Sequence, residues 1–226
     1  SISSDETRHY LNGIYFHKTN LQNKYFLTGV ATDSHRLSSS SLEIDKNIIF
    51  EPIILPKKTI FQLISLLEQA SNNIKVSNSK SKVKFVMDSG VLISKVIDGR
   101  FPDYSKVIPK DNNKILQIKL NEFKNSIERV TSVSLDRKEG LKMTIGKDSL
   151  KLSVNSPNSG EGVENIKANY NSEEMNISFN SRYLIDIASQ IEHETIIMNL
   201  KEAGSPVLIK DLSDKLSFHV VMPMKI

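Results

Sequence analysis

The residues with the most obvious capacity for covalent chemistry lie together in Thr32-Asp33-Ser34-His35-Arg36. A carboxylate, a hydroxyl and an imidazole within five positions could serve acid–base or nucleophilic catalysis. Their order argues against it. Side chains alternate between the two faces of a strand, so Asp33 and His35 share a side and Ser34 does not. A turn or a surface contact is the expected role. An enzyme using Asp33 and His35 as acid–base groups is the alternative, but no substrate class is suggested. His193-Glu194 reads as a polar turn after a helix. The sequence has no phosphate-cradling glycine loop, dinucleotide fingerprint, zinc-protease motif, nucleophile elbow or EF-hand loop. The five histidines, His9, His17, His35, His193 and His219, show no metal-ligand spacing. There is no cysteine, which excludes disulfides and thiolate metal sites and is compatible with a reducing cytosol. No catalytic residue, metal or cofactor is expected.

The C-terminal run Val220-Val-Met-Pro-Met-Lys-Ile226 is unusual because termini are mostly polar. Phe218 and Val220 fit a last core strand. Pro223 has no amide donor and ends the ladder. Met222, Pro223 and Met224 are then expected to lie over the surface as a flexible apolar lip, and methionine suits adaptable binding surfaces.

These residues must be positioned by elements whose periods are legible. Ile60, Leu63, Ile64 and Leu67 recur at helical spacing, as do Phe123, Ile127 and Val130, and Leu184, Ile187, Ala188 and Ile191. Asn121 and Asn180 (or Ser181) are the expected N-caps of the second and third helices. A short strand precedes each helix: Ile53–Leu55, Leu116–Leu120 and Met175–Phe179. Alternating strands follow: Ile74–Val76, Val83–Val86 and Val91–Val96; Leu141–Ile145, Leu150–Val154 and Val163–Tyr170; Ile196–Leu200, Val207–Ile209 and Leu216–Pro223. The strand–helix–strands unit thus repeats at roughly 62 residues. Leu11–Phe16, Lys24–Thr32 and Arg36–Ile44 read as the tail of a further unit whose helix, by register, is expected to end just before Ser1. The chain is therefore expected to begin inside a domain. Two units per domain place a boundary near Pro109–Lys114, and Asn155–Gly162 reads as a loop. The predicted class is α+β, with helices each packing one apolar face on antiparallel sheet.

At 226 residues the chain can hold two domains with real cores. Its polar first ten residues do not form a signal peptide, and no apolar run approaches a bilayer span, so no membrane partner is expected. A net charge of +4 is mild for a protein that grips nucleic acid tightly.

Four segments carry a family resemblance: Arg8-His-Tyr-Leu-Asn-Gly13, Ala31-Thr-Asp-Ser-His-Arg-Leu37, Asp98-Gly-Arg-Phe-Pro-Asp-Tyr104 and the C-terminal run. In their order and spacing they resemble the β sliding clamp family, the β subunits of bacterial DNA polymerase III. The resemblance covers the whole chain and about three-fifths of a full clamp. It implies a middle clamp domain over 1–109, lacking its first strand and helix, and a C-terminal domain over 110–226. It implies the clamp (processivity) fold, with helices lining an inner face and sheets outside. It also implies a cytoplasmic, non-catalytic processivity factor, a homodimeric ring around duplex DNA. Weak phosphate contact then leaves the ring free to slide. The alternative is a clamp-like interaction domain that closes no ring. Without the first domain, this chain is expected not to form the closed dimer.

The same resemblance implies DNA contacts at Arg8, His9, Tyr10, Lys57 and Lys58. It implies a hydrophobic pocket for short peptide motifs of the polymerase, the clamp loader and repair proteins, with Leu and Phe anchors. Burying one such anchor contributes roughly 1.5–3 kcal/mol. The matching positions are Leu11, Thr32, Ser34, His35, Arg36, Leu37, Pro102, Lys106, Val107, Asn180, Tyr183, Val220, Val221, Met222, Pro223 and Met224. Arg36 and Lys106 would flank the rim, and backbone near Met222 and Met224 would bond the peptide. Three positions depart from the family pattern: Ser34 stands where glycine is common, Lys106 where arginine is frequent, and Ile226 in place of a final leucine.

Overall fold

A computed structural model describes residues 1–69, 73–134, 140–157 and 159–225. The chain divides into two compact units, Ser1–Asp103 and Tyr104–Ile226. Ile226 lies outside the described residues.

In the first unit, a 3-10 turn over Glu6–Leu11 leads into β1 (Gly13–Leu21), β2 (Lys24–Thr32), β3 (Arg36–Ile44) and β4 (Ile53–Pro56). They pair antiparallel in the order β3-β2-β1-β4. The β1–β2 hairpin turns on Gln22 and Asn23, both at positive φ, as a two-residue loop compatible with strand twist requires. Then come α1 (Lys57–Leu67) and a second sheet, β5 (Lys75–Asn78), β6 (Lys82–Met87) and β7 (Gly90–Lys95). The core beneath α1 joins Ile53 and Leu55 of β4 to Val83, Phe85 and Met87 of β6. Ile60, Leu63 and Leu66 pack against it from the helix. The predicted stripe is correct for Ile60 and Leu63 and wrong for the other two: Ile64 is 48% exposed and Leu67 36%. Phe61, on the same outer side, is 61% exposed. Leu66 supplies the inward contact instead, because it continues the line of Leu63.

The second unit opens with a 3-10 turn at Tyr104–Val107. Then follow β8 (Lys114–Lys119), α2 (Leu120–Thr131), β9 (Gly140–Gly146), β10 (Ser149–Ser156), β11 (Gly160–Lys167), β12 (Asn169–Tyr170) and β13 (Met175–Asn180). The chain continues through α3 (Ser181–Ala188), β14 (Thr195–Leu200), β15 (Val207–Asp211) and β16 (Ser217–Val221). β12, β8, β14, β15 and β16 are neighbours in one sheet, and β11-β10-β9-β13 form another. One continuous core holds Leu116 and Ile118 from β8, Phe123, Ile127 and Val130 from α2, and Leu184, Ile187 and Ala188 from α3. The two helices pack on each other.

Both predicted helical stripes of this unit are buried, and Asn180 caps α3 by accepting the Arg182 N–H at 3.0 Å. Asn121 is not a cap. The helix starts one residue earlier, at Leu120, with Lys119 extended before it and no side-chain cap. Glu122 in the first turn and Arg129 in the last complement the helix dipole. The expected loop over Asn155–Gly162 is mostly strand: β10 runs to Ser156, which pairs with Gly160 at the start of β11. Val163–Tyr170 is broken at Ala168, where β11 ends and β12 joins the other sheet.

Candidate functional site

Thr32–Leu37 is a turn between β2 and β3, and hydrogen bonds within it fix what it can do. The Asp33 carboxylate accepts the backbone N–H of His35 at 3.0 Å and of Arg36 at 2.9 Å, and the Arg36 Nε–H at 3.1 Å. Thr32 Oγ1 donates to the Arg36 carbonyl and accepts the Ser34 N–H. Ser34 has φ of 77°, the left-handed region that explains why glycine suits this position. Asp33 is therefore a turn anchor. Its oxygens are engaged, and the side chains of Asp33 and Arg36 are only 16% and 14% exposed. Asp33→Ala leaves the Arg36 guanidinium half-enclosed without its carboxylate and two amides without acceptors. The expected cost is roughly 2 kcal/mol, against less than about 1 for Asp33→Asn, which keeps an acceptor. Urea denaturation of the three proteins measures this, and equal losses would remove Asp33 as the anchor.

The turn reaches Arg8, the first of the expected DNA contacts. Arg8 donates from Nη1 to Ser34 Oγ at 2.6 Å and from Nε to Asp5 at 2.8 Å. Hydrogen bonds from Thr7 and from Arg8 hold the Asp5 carboxyl down at about 2. His9 Nε2 lies 3.0 Å from the Asp98 carbonyl, and Tyr10 sits edge-on to the His9 ring. Gly99 lets this loop approach closely, since a Cβ there would stand 3.0 Å from Tyr10 Cβ. Leu11 and Leu37 are buried, whereas His35 and Pro102 are exposed. Lys57 and Lys58 are exposed in the first turn of α1, whose first amide bonds Asn12. Lys57 Nζ stands 6.0 Å above the Phe61 ring. Arg8 is thus partly committed to Asp5 and Ser34, while both lysines reach solvent.

Sequence reasoning missed an aromatic ladder here. Phe101, from the Asp98–Tyr104 motif, stacks on Tyr15 at 4.9 Å, and Tyr15 stacks on His17 at 4.5 Å. Burial raises the Tyr15 pKa and lowers that of His17. Alternation along β1 puts Tyr15 and His17 on one face, which was the available signal.

The second unit places its own candidates around α3 and the C-terminal run. Lys106 and Val107 are exposed in their 3-10 turn, so Val107 is not a core residue. Asn180 is half-buried, and its side-chain oxygen is used by the cap. Tyr183 is half-buried against the core. Val220 and Val221 are buried at the end of β16. There the ladder stops, and Met222 and Met224 are 40% and 38% exposed with Pro223 between them. The expected apolar lip is present, but it is pinned: the Met224 N–H donates to the Ser178 carbonyl of β13 at 2.7 Å. No side-chain signal in the sequence marks that backbone bond. A separate open cleft of about 420 Å³ in this unit is lined by Gln117, Lys119, Asp148, Lys167, Asn169 and Thr195, none of them a sequence candidate. Among the described residues no three His, Asp or Glu side chains gather as a metal site needs. No helix among them is long and apolar enough to cross a membrane.

Comparison with known proteins follows the same two-unit division. Residues 1–103 match the family described as DNA polymerase III beta subunit, central domain, and residues 105–225 match its C-terminal domain. The beta sliding clamp of Caulobacter vibrioides is 36% identical over all of this chain, and that of Escherichia coli K12 is 30% identical. The chain spans 61% of the length of each. A Bartonella birtlesii sliding clamp bound to griselimycin superposes with a TM-score of 0.96 at 38% identity, covering all of this chain and 61% of that one. A Caulobacter clamp structure gives 0.97 at 35%, covering all of this chain and 60% of that one.

Proposed function

The chain belongs to the DNA polymerase III beta subunit family, and from that premise we propose that it works as part of a sliding clamp: a non-catalytic ring that encircles duplex DNA and tethers a polymerase, a clamp loader and repair proteins through short peptide motifs. The observation that carries the peptide-capturing role is the lip at Met222–Met224. It is apolar, exposed, and held to β13 by a backbone hydrogen bond, so two adaptable side chains are presented on a fixed main chain. Tyr183 and Asn180 beside α3 and Lys106 and Val107 in the preceding turn are proposed as contacts for the same peptides. Leu11, Thr32, Ser34, His35, Arg36, Leu37 and Pro102 of the first unit are proposed likewise. The buried members, Leu11, Leu37, Val220 and Val221, would act by shaping the backbone under the exposed ones. The named relatives are all sliding clamps, which favours this reading over an interaction domain that closes no ring.

DNA contact is proposed for Lys57, Lys58, His9, Tyr10 and Arg8. A net charge of only +4, with 30 basic residues nearly balanced by 26 acidic ones, suits a ring that must not stick, because each phosphate neutralised steepens the salt dependence of binding.

Fluorescence polarisation with a labelled peptide carrying Gln-Leu-x-Leu-Phe tests the peptide role. The full chain is expected to bind in the micromolar range. A chain ending at Val221 is expected to lose at least about tenfold in affinity while keeping its circular dichroism spectrum. Unchanged affinity after truncation would remove the lip from the site. Griselimycin, which a Bartonella relative binds, is expected to compete with the peptide.

A further inference from the structure

A crossover between the two sheets of the second unit opens a notch that none of the proposed peptide or DNA contacts uses. β11 belongs to one sheet and β12 to the other, and the chain passes between them at Ala168. β12 pairs with β8 only at Asn169↔Gln117 and Tyr170↔Leu116. Continued by one step, that register would bring Ala168 opposite Ile118. The Ala168 N–H donates instead to the Asp148 carbonyl, in the turn between β9 and β10, at 3.4 Å. Ile118 and Lys119 are therefore paired with β14 on one edge, and among the described residues no strand pairs with their other edge. The cleft of about 420 Å³ lies at this gap.

The lining of the cleft is sorted by chemistry. Ile118 and Ala168 are its most buried members, at 1% and 8% exposure. The strand register brings its polar members to one sheet face. Lys119 lies opposite Thr195 and Gln117 opposite Asn169, so the side chains of each pair adjoin. Asn169 Nδ2 donates to Gln117 Oε1 at 3.2 Å, a bond that leaves the amide donors of Gln117 uncommitted. Lys167 ends β11, and both it and Lys119 are exposed. Among the described residues neither lysine is in an ion pair. The carboxylate in the lining is that of Asp148, whose backbone stands at φ 57°. Two ammonium groups against one carboxylate leave the cleft one positive charge in excess. An apolar bottom under a few convergent donors is the make-up of a small-ligand site. Lysine ammonium groups serve there as point charges for phosphate or carboxylate.

We propose that this cleft binds a small organic anion. Its apolar body rests on Ile118 and Ala168, and its single phosphate or carboxylate group is held by Lys119, Lys167 and the Thr195 hydroxyl. Asp148 sets the charge preference, because a second anionic group on the ligand would meet its carboxylate. Phosphate and carboxylate share this chemistry, and separate probes distinguish them. None of the lining residues is a proposed peptide or DNA contact, so the site stands or falls apart from that reading.

Amide NMR of the 226-residue chain, titrated with phenyl phosphate and with benzoate, tests this. At least one probe is expected to shift the amides of Lys119, Asn169 and Thr195 with a Kd of about 1 mM, and the tighter of the two gives the anion class. Inorganic phosphate lacks the apolar body and benzyl alcohol lacks the charge, so each is expected to bind at least about tenfold more weakly. Lys119→Gln and Lys167→Gln are each expected to weaken binding about fivefold. Lys210→Gln, exposed on β15 outside the cleft, is expected to leave it unchanged. Asp148→Asn is expected to tighten binding about threefold by removing the opposing charge. Asparagine tolerates the positive φ, so the turn is kept, and a merely structural role for Asp148 would not improve binding. No shift from either probe would overturn the proposal. Equal affinity for inorganic phosphate would reduce the site to an unspecific anion contact. Unchanged affinity in both lysine variants, or weaker binding by Asp148→Asn, would overturn it too. So would a short DNA duplex that shifts the same amides and displaces the probe, which would assign the two lysines to DNA.

Discussion

Gly162→Ala is expected to destabilise the second unit by roughly 3 kcal/mol, a loss set by backbone geometry. Gly162 lies in β11 opposite Val154 of β10. A Cβ built on it would stand 2.4 Å from the carbonyl oxygen of Val130 and 3.1 Å from its Cα. Both are main-chain atoms of the last turn of α2, so no side chain can swing away to make room. The helix cannot retreat cheaply, because Phe123, Ile127 and Val130 are 0%, 0% and 3% exposed in the core. The strand cannot retreat either, since Glu164, two residues on, accepts hydrogen bonds from Ser126 and Arg129 of the same helix. Hydrogen bonding by Arg129 holds the Glu164 carboxyl below its ordinary range, the sign of a formed pair. Gly204→Ala is the control: nothing lies within 4 Å of its added Cβ. Thermal unfolding is expected to show a drop of about 10 °C for Gly162→Ala and about none for Gly204→Ala. A Gly162→Ala protein melting with the parent would mean that α2 and β11 are not held as closely as described.

That glycine marks where sequence reading stops. Gly160-Glu-Gly162 reads as loop because glycine is permissive and strands disfavour it. Yet the reason for Gly162 is a close approach by a helix some thirty residues away in sequence, which no local pattern encodes. The strands expected over Lys24–Thr32 and Arg36–Ile44 have those ends in the structure, whereas the one expected over Leu11–Phe16 overlaps only the start of β1, Gly13–Leu21. The stripes of α2 and α3 were legible because a single core takes up one whole side of each. The stripe of α1 was misjudged at Ile64 and Leu67 because apolarity tells which residues want burial, not whether anything in this chain buries them. Asn180 was recognised as a cap and Asn121 mistaken for one, since cap residues also occur inside first turns. Of the candidate residues, exposure at Met222 and Met224 followed from Pro223 ending the ladder. The exposure of Val107, the anchoring by Asp33 and the bond from Met224 to Ser178 depend on tertiary placement and had no signal.

Lowering the pH from 7 to 5 is expected to cost the second unit about 2 kcal/mol through one histidine. His219 stands in β16 opposite Ile209 of β15, and its residue is 9% exposed. Burial first, and the positive charge of the terminal ammonium second, lower its pKa to about 4, against an ordinary value of 6.5, with Asp211 opposing. The direction follows from which state binds the proton. Between pH 6.5 and 4 the unfolded chain protonates this imidazole and the folded one does not, so stability falls with falling pH, by up to about 3 kcal/mol below both values. Two carboxylates of the same unit, Asp211 and Glu164, lie outside this window. Asp211 is raised by burial but lowered further by hydrogen bonds from Ser213 and from backbone amides including that of Glu192. Glu164 is also lowered, so both lose their stabilising charge interactions mainly below the ordinary carboxylate range. His17, lowered by burial in the first unit, acts in the same sense as His219 but on the other unit. Urea unfolding of the second unit at pH 7, 6 and 5 should therefore show a falling midpoint for the parent and a much flatter profile for His219→Gln. Parallel pH profiles for the two proteins would show that His219 titrates normally, and hence that the end of β16, from which the Met222–Met224 lip departs, is open to water.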